Sequence, residues 1–273
     1  MNNRKIIFHD KKMFSKSMEE NFHFQHALNH CLQIYNSNSI CSFIPKNLST
    51  SIRTSIAMEN KFINFDNDGI DWINYNTTIF KPTFKDLCNA SFTFVILRNP
   101  FERLYSFFCD FVSRDNNNIH TNLLLSIIKD ILNKSILEIT FEEFIKTLEG
   151  NLIHANSHWS PQKYFLIYEN YDLYVPFEKF SEYLKLIEQN AKIKIYDVRS
   201  LKPFGLNKHE KISETYYGNF KGSEINELKK VGKIPSIKSL FNDDLINLVN
   251  KLYHEDISLY KNQFNIDPLD IFN

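Results

Sequence analysis

Two short stretches carry most of the chemistry this sequence offers. The first is Ile44-Pro-Lys-Asn-Leu-Ser-Thr-Ser-Ile52, where a lysine is followed by three consecutive hydroxyls. The apolar run Ser39 to Ile44 leads into it, and Thr50 to Asn60 reads as a helix with Ser49 or Thr50 as the expected N-cap. The first N–H groups of a helix lack internal partners, and the helix dipole favours negative charge there. Such a loop can hold a phosphate on those N–H groups and on the hydroxyls of Ser49, Thr50 and Ser51, with Lys46 as a mobile positive charge beside it. The same residues also make an ordinary hydroxyl-rich helix start with a lysine at the surface. The glycine-rich phosphate loop of nucleotide triphosphatases is absent.

The second stretch is Arg98-Asn-Pro-Phe-Glu-Arg-Leu-Tyr-Ser106, which follows the β-branched and aromatic run Phe92 to Leu97. Asn99 suits an N-cap and Pro100 the first helical position, with Glu102 three residues after the cap. Leu104, Phe107, Phe108 and Phe111 then follow at helical spacing, which predicts Arg103, Ser106 and Asp110 on the polar side. A guanidinium and a hydroxyl converging there can bind a second phosphate. The alternative is an Arg103–Glu102 pair and a serine on a solvated face.

The elements that position these loops alternate between strand and helix. Beyond the two already named, the patterns predict helices near 121–133 and 141–149, a strand at Tyr171 to Val175, and a helix from Phe177 to Asn190. A further strand is expected at Lys192 to Asp197, with a mostly helical C-terminal third over 223–232 and 243–262. Residues 1–38 read as a peripheral helix and a lead-in to a core spanning 39–262 of one domain. The expected class is α/β, a three-layer P-loop-like fold with a central, mostly parallel sheet flanked by helices. Ligands in such sheets bind at the carboxyl ends of the strands, where both loops leave.

Composition narrows the function. Of 273 residues 43% are hydrophobic, which excludes a mainly disordered chain. Lys plus Arg and Asp plus Glu both total 32, so a general nucleic-acid coat is not expected. The four cysteines show no CxxC spacing and no zinc pattern, and read as small buried residues of a reduced compartment. The apolar run Ile6 to Phe8 is too short for a signal-peptide core or a membrane span. A soluble cytoplasmic protein is the expectation.

Taken together, the two loops resemble the sulfotransferase family, whose donor is 3′-phosphoadenosine 5′-phosphosulfate (PAPS). Lys46-Asn-Leu-Ser-Thr-Ser51 is similar to its 5′-phosphosulfate loop, and Arg98 to Ser106 to its 3′-phosphate motif in the form found in carbohydrate sulfotransferases. His158-Trp-Ser-Pro-Gln162 resembles an element of the chondroitin and HNK-1 type enzymes. Phe177-Glu178, Asn207-Lys208-His209 and Tyr253-x-x-Asp256-x-x-x-Tyr260 resemble its later parts. Departures are Ser49 where relatives often carry Cys, the lack of the membrane anchor of the Golgi members, and residues 61–91, which match nothing in the family pattern.

The resemblance implies sulfuryl transfer from PAPS to an acceptor hydroxyl, with adenosine 3′,5′-bisphosphate (PAP) as product. It implies no metal, since less charge accumulates than in phosphoryl transfer. Lys46 would stabilise the bridging oxygen as the 5′-phosphate leaves; Asn47, Ser49, Thr50 and Ser51 belong to the loop that holds the 5′ end. Arg98 and Ser106 would hold the 3′-phosphate, and Lys208 would reach the phosphates. For the general base, His158 is the expected residue, because imidazole titrates near neutral pH. The alternatives are a loop-ordering role for His158, an acid among Glu59, Asp66, Asp68, Asp71 and Asp86, or His154, His120 or His209 as base. Trp159 either stacks on a sugar or fills the core. The implied partner is a saccharide or another small hydroxyl-bearing acceptor. A P-loop-type kinase and a catalytically inactive nucleotide-binding module on this fold are the competing readings.

Overall fold

The computed structural model describes residues 4–7, 17–64, 71–76, 78–111, 126, 133–135, 137–198 and 208–273. The expected helix at 121–133 lies almost wholly outside them, as do Asp66, Asp68, His120 and Asn207. The chain gathers into two compact units, Met1–Arg98 with Gln162–Arg199, and Asn99–Pro161 with Ser200–Asn273.

The first unit is built on a four-stranded sheet in the order β1 (Cys31–Ile34), β2 (Ser39–Ser42), β3 (Thr93–Leu97), β4 (Leu173–Pro176). β2, β3 and β4 run parallel and β1 runs antiparallel on the edge, so the mostly parallel sheet is present. The strand β1 was hidden in what reads as a lead-in, because four residues give too short a pattern to stand out. Alternate residues of the strands, Leu32, Cys41, Phe94, Ile96 and Val175, share one core with α2 (Ser49–Glu59), the next helix after α1 (Phe22–Asn29), and with Ile187 of the helix that follows β4. On the other parity, the Ser42 and Tyr171 hydroxyls lie 2.6 Å apart and Cys31 Sγ lies 3.4 Å from Ser42 Oγ. Burial pushes the Cys31 thiol up to about 12, which leaves it an inert packing group.

Lys192 to Asp197 is not a strand. The segment joins no described strand and instead leans on α2: the Tyr196 N–H donates to Ser55 Oγ (2.8 Å) and, just beyond it, the Val198 N–H to Ser51 Oγ (3.2 Å). Two serines one helical turn apart thus stand in for a ladder partner.

The second unit is organised around α3, here the helix Pro100–Phe111, which opens two residues after β3 ends. Asn99 caps it as its sequence predicts, its Oδ1 accepting from the Phe101 N–H (3.0 Å). Phe101, Leu104, Phe107, Phe108 and Phe111 pack with Phe141, Phe144, Trp159, Leu245 and Val249 in one aromatic core. The predicted polar side of this helix is corrected: Arg103 is 1% and Ser106 7% exposed. The helix is buried nearly all round, so its polar residues find partners inside.

Candidate active site

The loop after β2 has an uncommon backbone. Ile44 O accepts from the Asn47 N–H (3.0 Å), Pro45 precedes, and Lys46 has φ 74°. This is the pattern of a type II turn, with Pro at its second position and a left-handed residue at its third. That third position normally goes to glycine; here a lysine holds it. Leu48 is left-handed as well, at φ 62°, and it is the residue before the first turn of α2. Each such non-glycine residue costs about 1–2 kcal/mol, and strain of this kind concentrates at functional sites.

The expected N-cap is corrected by the same geometry. Leu48, not Ser49 or Thr50, occupies the cap, and it has no oxygen with which to cap the first turn. The contrast is with the helices that begin after Asn21, Thr83, Thr140 and Asn242, whose side chains accept first-turn N–H groups. Lys46, Ser49 and Thr50 are half-buried at the loop surface. Ser51 is different. It is 1% exposed and accepts from Val198, so its hydroxyl belongs to the packing of α2 rather than to the loop mouth.

A knot of amides ties this loop to the end of β3. Asn47, 1% exposed, donates through Nδ2 to the Ile96 carbonyl (2.9 Å) and to Gln162 Oε1 (2.6 Å). Gln162 Oε1 also accepts from the Arg98 N–H (3.0 Å), while its Nε2 donates to the Arg98 carbonyl (2.8 Å). Gln162 therefore clamps both backbone groups of Arg98, as a neighbouring strand would. The Arg98 side chain turns back to the loop: Nη1 donates to the Lys46 carbonyl (3.0 Å), and the guanidinium lies 4.2 Å from the centre of the Phe177 ring. Asn47 Oδ1 is buried without a hydrogen-bond partner among the described residues, an acceptor left for an N–H or O–H donor. Gln162 is the residue that sequence reasoning passed over. It stood in the quoted His158 to Gln162 element, but nothing in its type announced that it spans the two loops.

The remaining candidates lie in the second unit. His158 is half-buried, its ring edge-to-face with Phe111 (5.3 Å between centres). Asn156 Oδ1 accepts from the His158 backbone N–H (2.9 Å) and lies 2.8 Å from ring Nδ1. An atom already accepting from an N–H is a carbonyl oxygen, so Nδ1 must carry the ring proton. The neutral ring then has its lone pair on Nε2, the form a general base needs.

Trp159 is fully buried, donates to the Leu152 carbonyl (2.7 Å) and packs on Phe107 and Phe144. This removes sugar stacking and leaves the core role. Arg103 donates to the Ser160 (2.7 Å) and Ser157 (2.8 Å) carbonyls, so it orders the turn that carries His158. Tyr253 donates to the Trp159 carbonyl (2.6 Å), and burial raises its hydroxyl far beyond the usual phenol range. Ser106 sits two turns into its helix, and Lys208 is exposed.

A model of the sulfotransferase family matches residues 9–263 of the chain. The chain belongs to the sulfotransferase family. Its fold is thus of the P-loop-like class, and it is a transferase of sulfuryl groups. Neither the curated proteins nor the solved structures contain a match. No helix among the described residues is long and apolar enough to cross a membrane.

Proposed function

We propose that this sulfotransferase takes its sulfuryl group from PAPS and passes it to a hydroxyl of a saccharide acceptor. The observation that carries the donor assignment is the amide knot. Asn47 and Gln162 hold the Lys46 loop and Arg98 together, with Arg98 Nη1 on the Lys46 carbonyl. One nucleotide with charge at two ends needs two cationic turns side by side, and adjacent parallel strands β2 and β3 supply them.

The residues present fit the donor. The first turn of α2, uncapped by Leu48, offers N–H groups to the 5′-phosphosulfate, with the hydroxyls of Ser49 and Thr50 beside them. Lys46 neutralises charge on the bridging oxygen as the sulfur–oxygen bond to the 5′-phosphate breaks. Arg98 reads the 3′-phosphate; Ser106 and Lys208 take their phosphate roles from motif likeness alone. His158 Nε2 accepts the proton of the acceptor hydroxyl as that oxygen bonds to sulfur. Sulfuryl transfer by this route depends on position and charge, which the braced loop provides before substrate arrives.

The saccharide assignment rests on the likeness of His158 to Gln162 and of Arg98 to Ser106 to the carbohydrate branch. Transfer of labelled sulfate from PAPS across a panel of glycans, small alcohols, phenols and steroids tests it. Label in glycans but not in simple alcohols is expected; label only in phenols or steroids contradicts it.

A further inference from the structure

The first unit holds a second partly buried cation, Arg53, with no carboxylate partner among the described residues. Arg53 lies one turn after Ser49 on the same stripe of α2. Its Nε donates to the Ser49 carbonyl (3.4 Å) and its Nη2 to Asn74 Oδ1 (3.2 Å), and the guanidinium stands 5.3 Å from the centre of the Phe43 ring. Both acceptors are neutral and both bonds are long. A guanidinium carries five N–H donors, and these bonds engage two. No described carboxylate pairs with it, and burial lowers its pKa to about 10, the reverse of what an adjacent acid does.

Arg53 also lines a small cavity with Leu32, Ala57, Trp72, Ile73, Asn76 and Phe80. Leu32, Ala57, Ile73 and Phe80 are buried, whereas Arg53, Trp72 and Asn76 are only partly covered. The aromatic surface continues outward. Phe62, 46% exposed, lies 5.0 Å from Phe80 and 6.4 Å from Trp72 between ring centres. Phe62, Trp72 and Phe80 all come from the 61–91 segment, which carries none of the motifs named above.

Distance links this surface to the transfer loop. At about 1.5 Å of rise per residue, Arg53 stands roughly 6 Å along α2 from Ser49, within the reach of one sugar ring. Flat apolar rings suit the C–H face of a sugar, and a forked guanidinium suits a carboxylate or sulfate.

We propose that Arg53 and the neighbouring rings of Trp72 and Phe62 form an acceptor subsite that selects saccharides carrying a carboxylate or sulfate ester near the hydroxyl to be modified. The inference rests on the sulfotransferase reading but is testable apart from it. Trp72 is one of two tryptophans, and the other, Trp159, is fully buried, so quenching of intrinsic fluorescence reports Trp72.

The titrants are a glucuronate-containing oligosaccharide, its carboxyl-reduced form, and that reduced form bearing a sulfate ester. Saturable quenching by one or both charged probes is expected, and which of them quenches identifies the group. The neutral probe should bind about tenfold to a hundredfold more weakly, the loss of a charge-assisted bond. Arg53→Gln should erase that difference, Arg53→Lys should keep part of it, and Trp72→Phe should abolish the signal. Equal titration by all three probes, no quenching by any, or an Arg53→Gln protein that still prefers charge would overturn the proposal. Calorimetry with PAP runs in parallel. Arg53→Gln that binds PAP normally is folded, so a retained charge preference then counts directly against the subsite. Charge-selective quenching without PAP binding would keep the subsite and sink the donor assignment.

Discussion

The two stretches that first drew notice differ in what their polar residues do. Around Lys46 the backbone is held in the left-handed region at two residues, and Lys46, Ser49 and Thr50 remain partly open to solvent. Around Arg103 and Trp159 no described residue has a positive φ, and both side chains donate to carbonyls inside an aromatic core. Motif density is similar in both, yet one region leaves its lysine and hydroxyls partly exposed and the other buries its polar groups. Substitutions in the first should therefore move activity, and substitutions in the second should move stability.

The largest effect is expected from the second region. Trp159→Ala leaves a cavity among Phe107, Phe144 and Leu152 and removes a buried hydrogen bond. It should lower unfolding free energy by about 3–5 kcal/mol, read as a shift in the denaturant midpoint. A loss below about 1 kcal/mol would break the contrast.

Lys46→Ala belongs to the other side. Transfer from PAPS should fall about 10²–10³-fold, because a charge meeting the leaving group is gone, while the denaturation midpoint stays close to that of the parent. A variant that unfolds early but turns over normally would reverse the assignment.

Arg98→Ala should weaken PAP by about 1.5–3 kcal/mol and adenosine 5′-phosphate by much less. Titration calorimetry of both nucleotides measures the gap. Equal losses for the two would detach Arg98 from the 3′-phosphate.

The smallest effect sharpens the reading of strain. Lys46→Gly and Lys46→Ala lose the same charge, but only glycine relaxes at φ 74°. The glycine variant should be more stable than the alanine one by up to about 1 kcal/mol, with transfer reduced alike in both. An alanine variant as stable as the glycine one would mean that the turn is not strained.

Much of this was legible in the chain. The strand Thr93–Leu97, the Asn99 cap and the helix from Pro100 follow from β-branched residues and cap chemistry, which act locally. What failed was set by distant partners. Arg103 looked solvent-facing because helical periodicity sees only one face, whereas the Ser157 and Ser160 carbonyls lie more than 50 residues away. Lys192 to Asp197 looked like a strand because its residues favour extended backbone, but its partners are serine hydroxyls on α2. The left-handed Leu48 could not be foreseen, since no residue type there signals a positive φ. Gln162 was inside a quoted element, yet its role required knowing that β3 ends beside the Lys46 loop.

The central claim is that two braced cationic turns hold one nucleotide charged at both its 3′ and 5′ ends. Competition calorimetry of PAP against ATP and adenosine 5′-phosphate on the parent protein tests it most directly. The account predicts that PAP binds and that both competitors, lacking a 3′-phosphate, bind at least tenfold more weakly. ATP binding as tightly as PAP would contradict it.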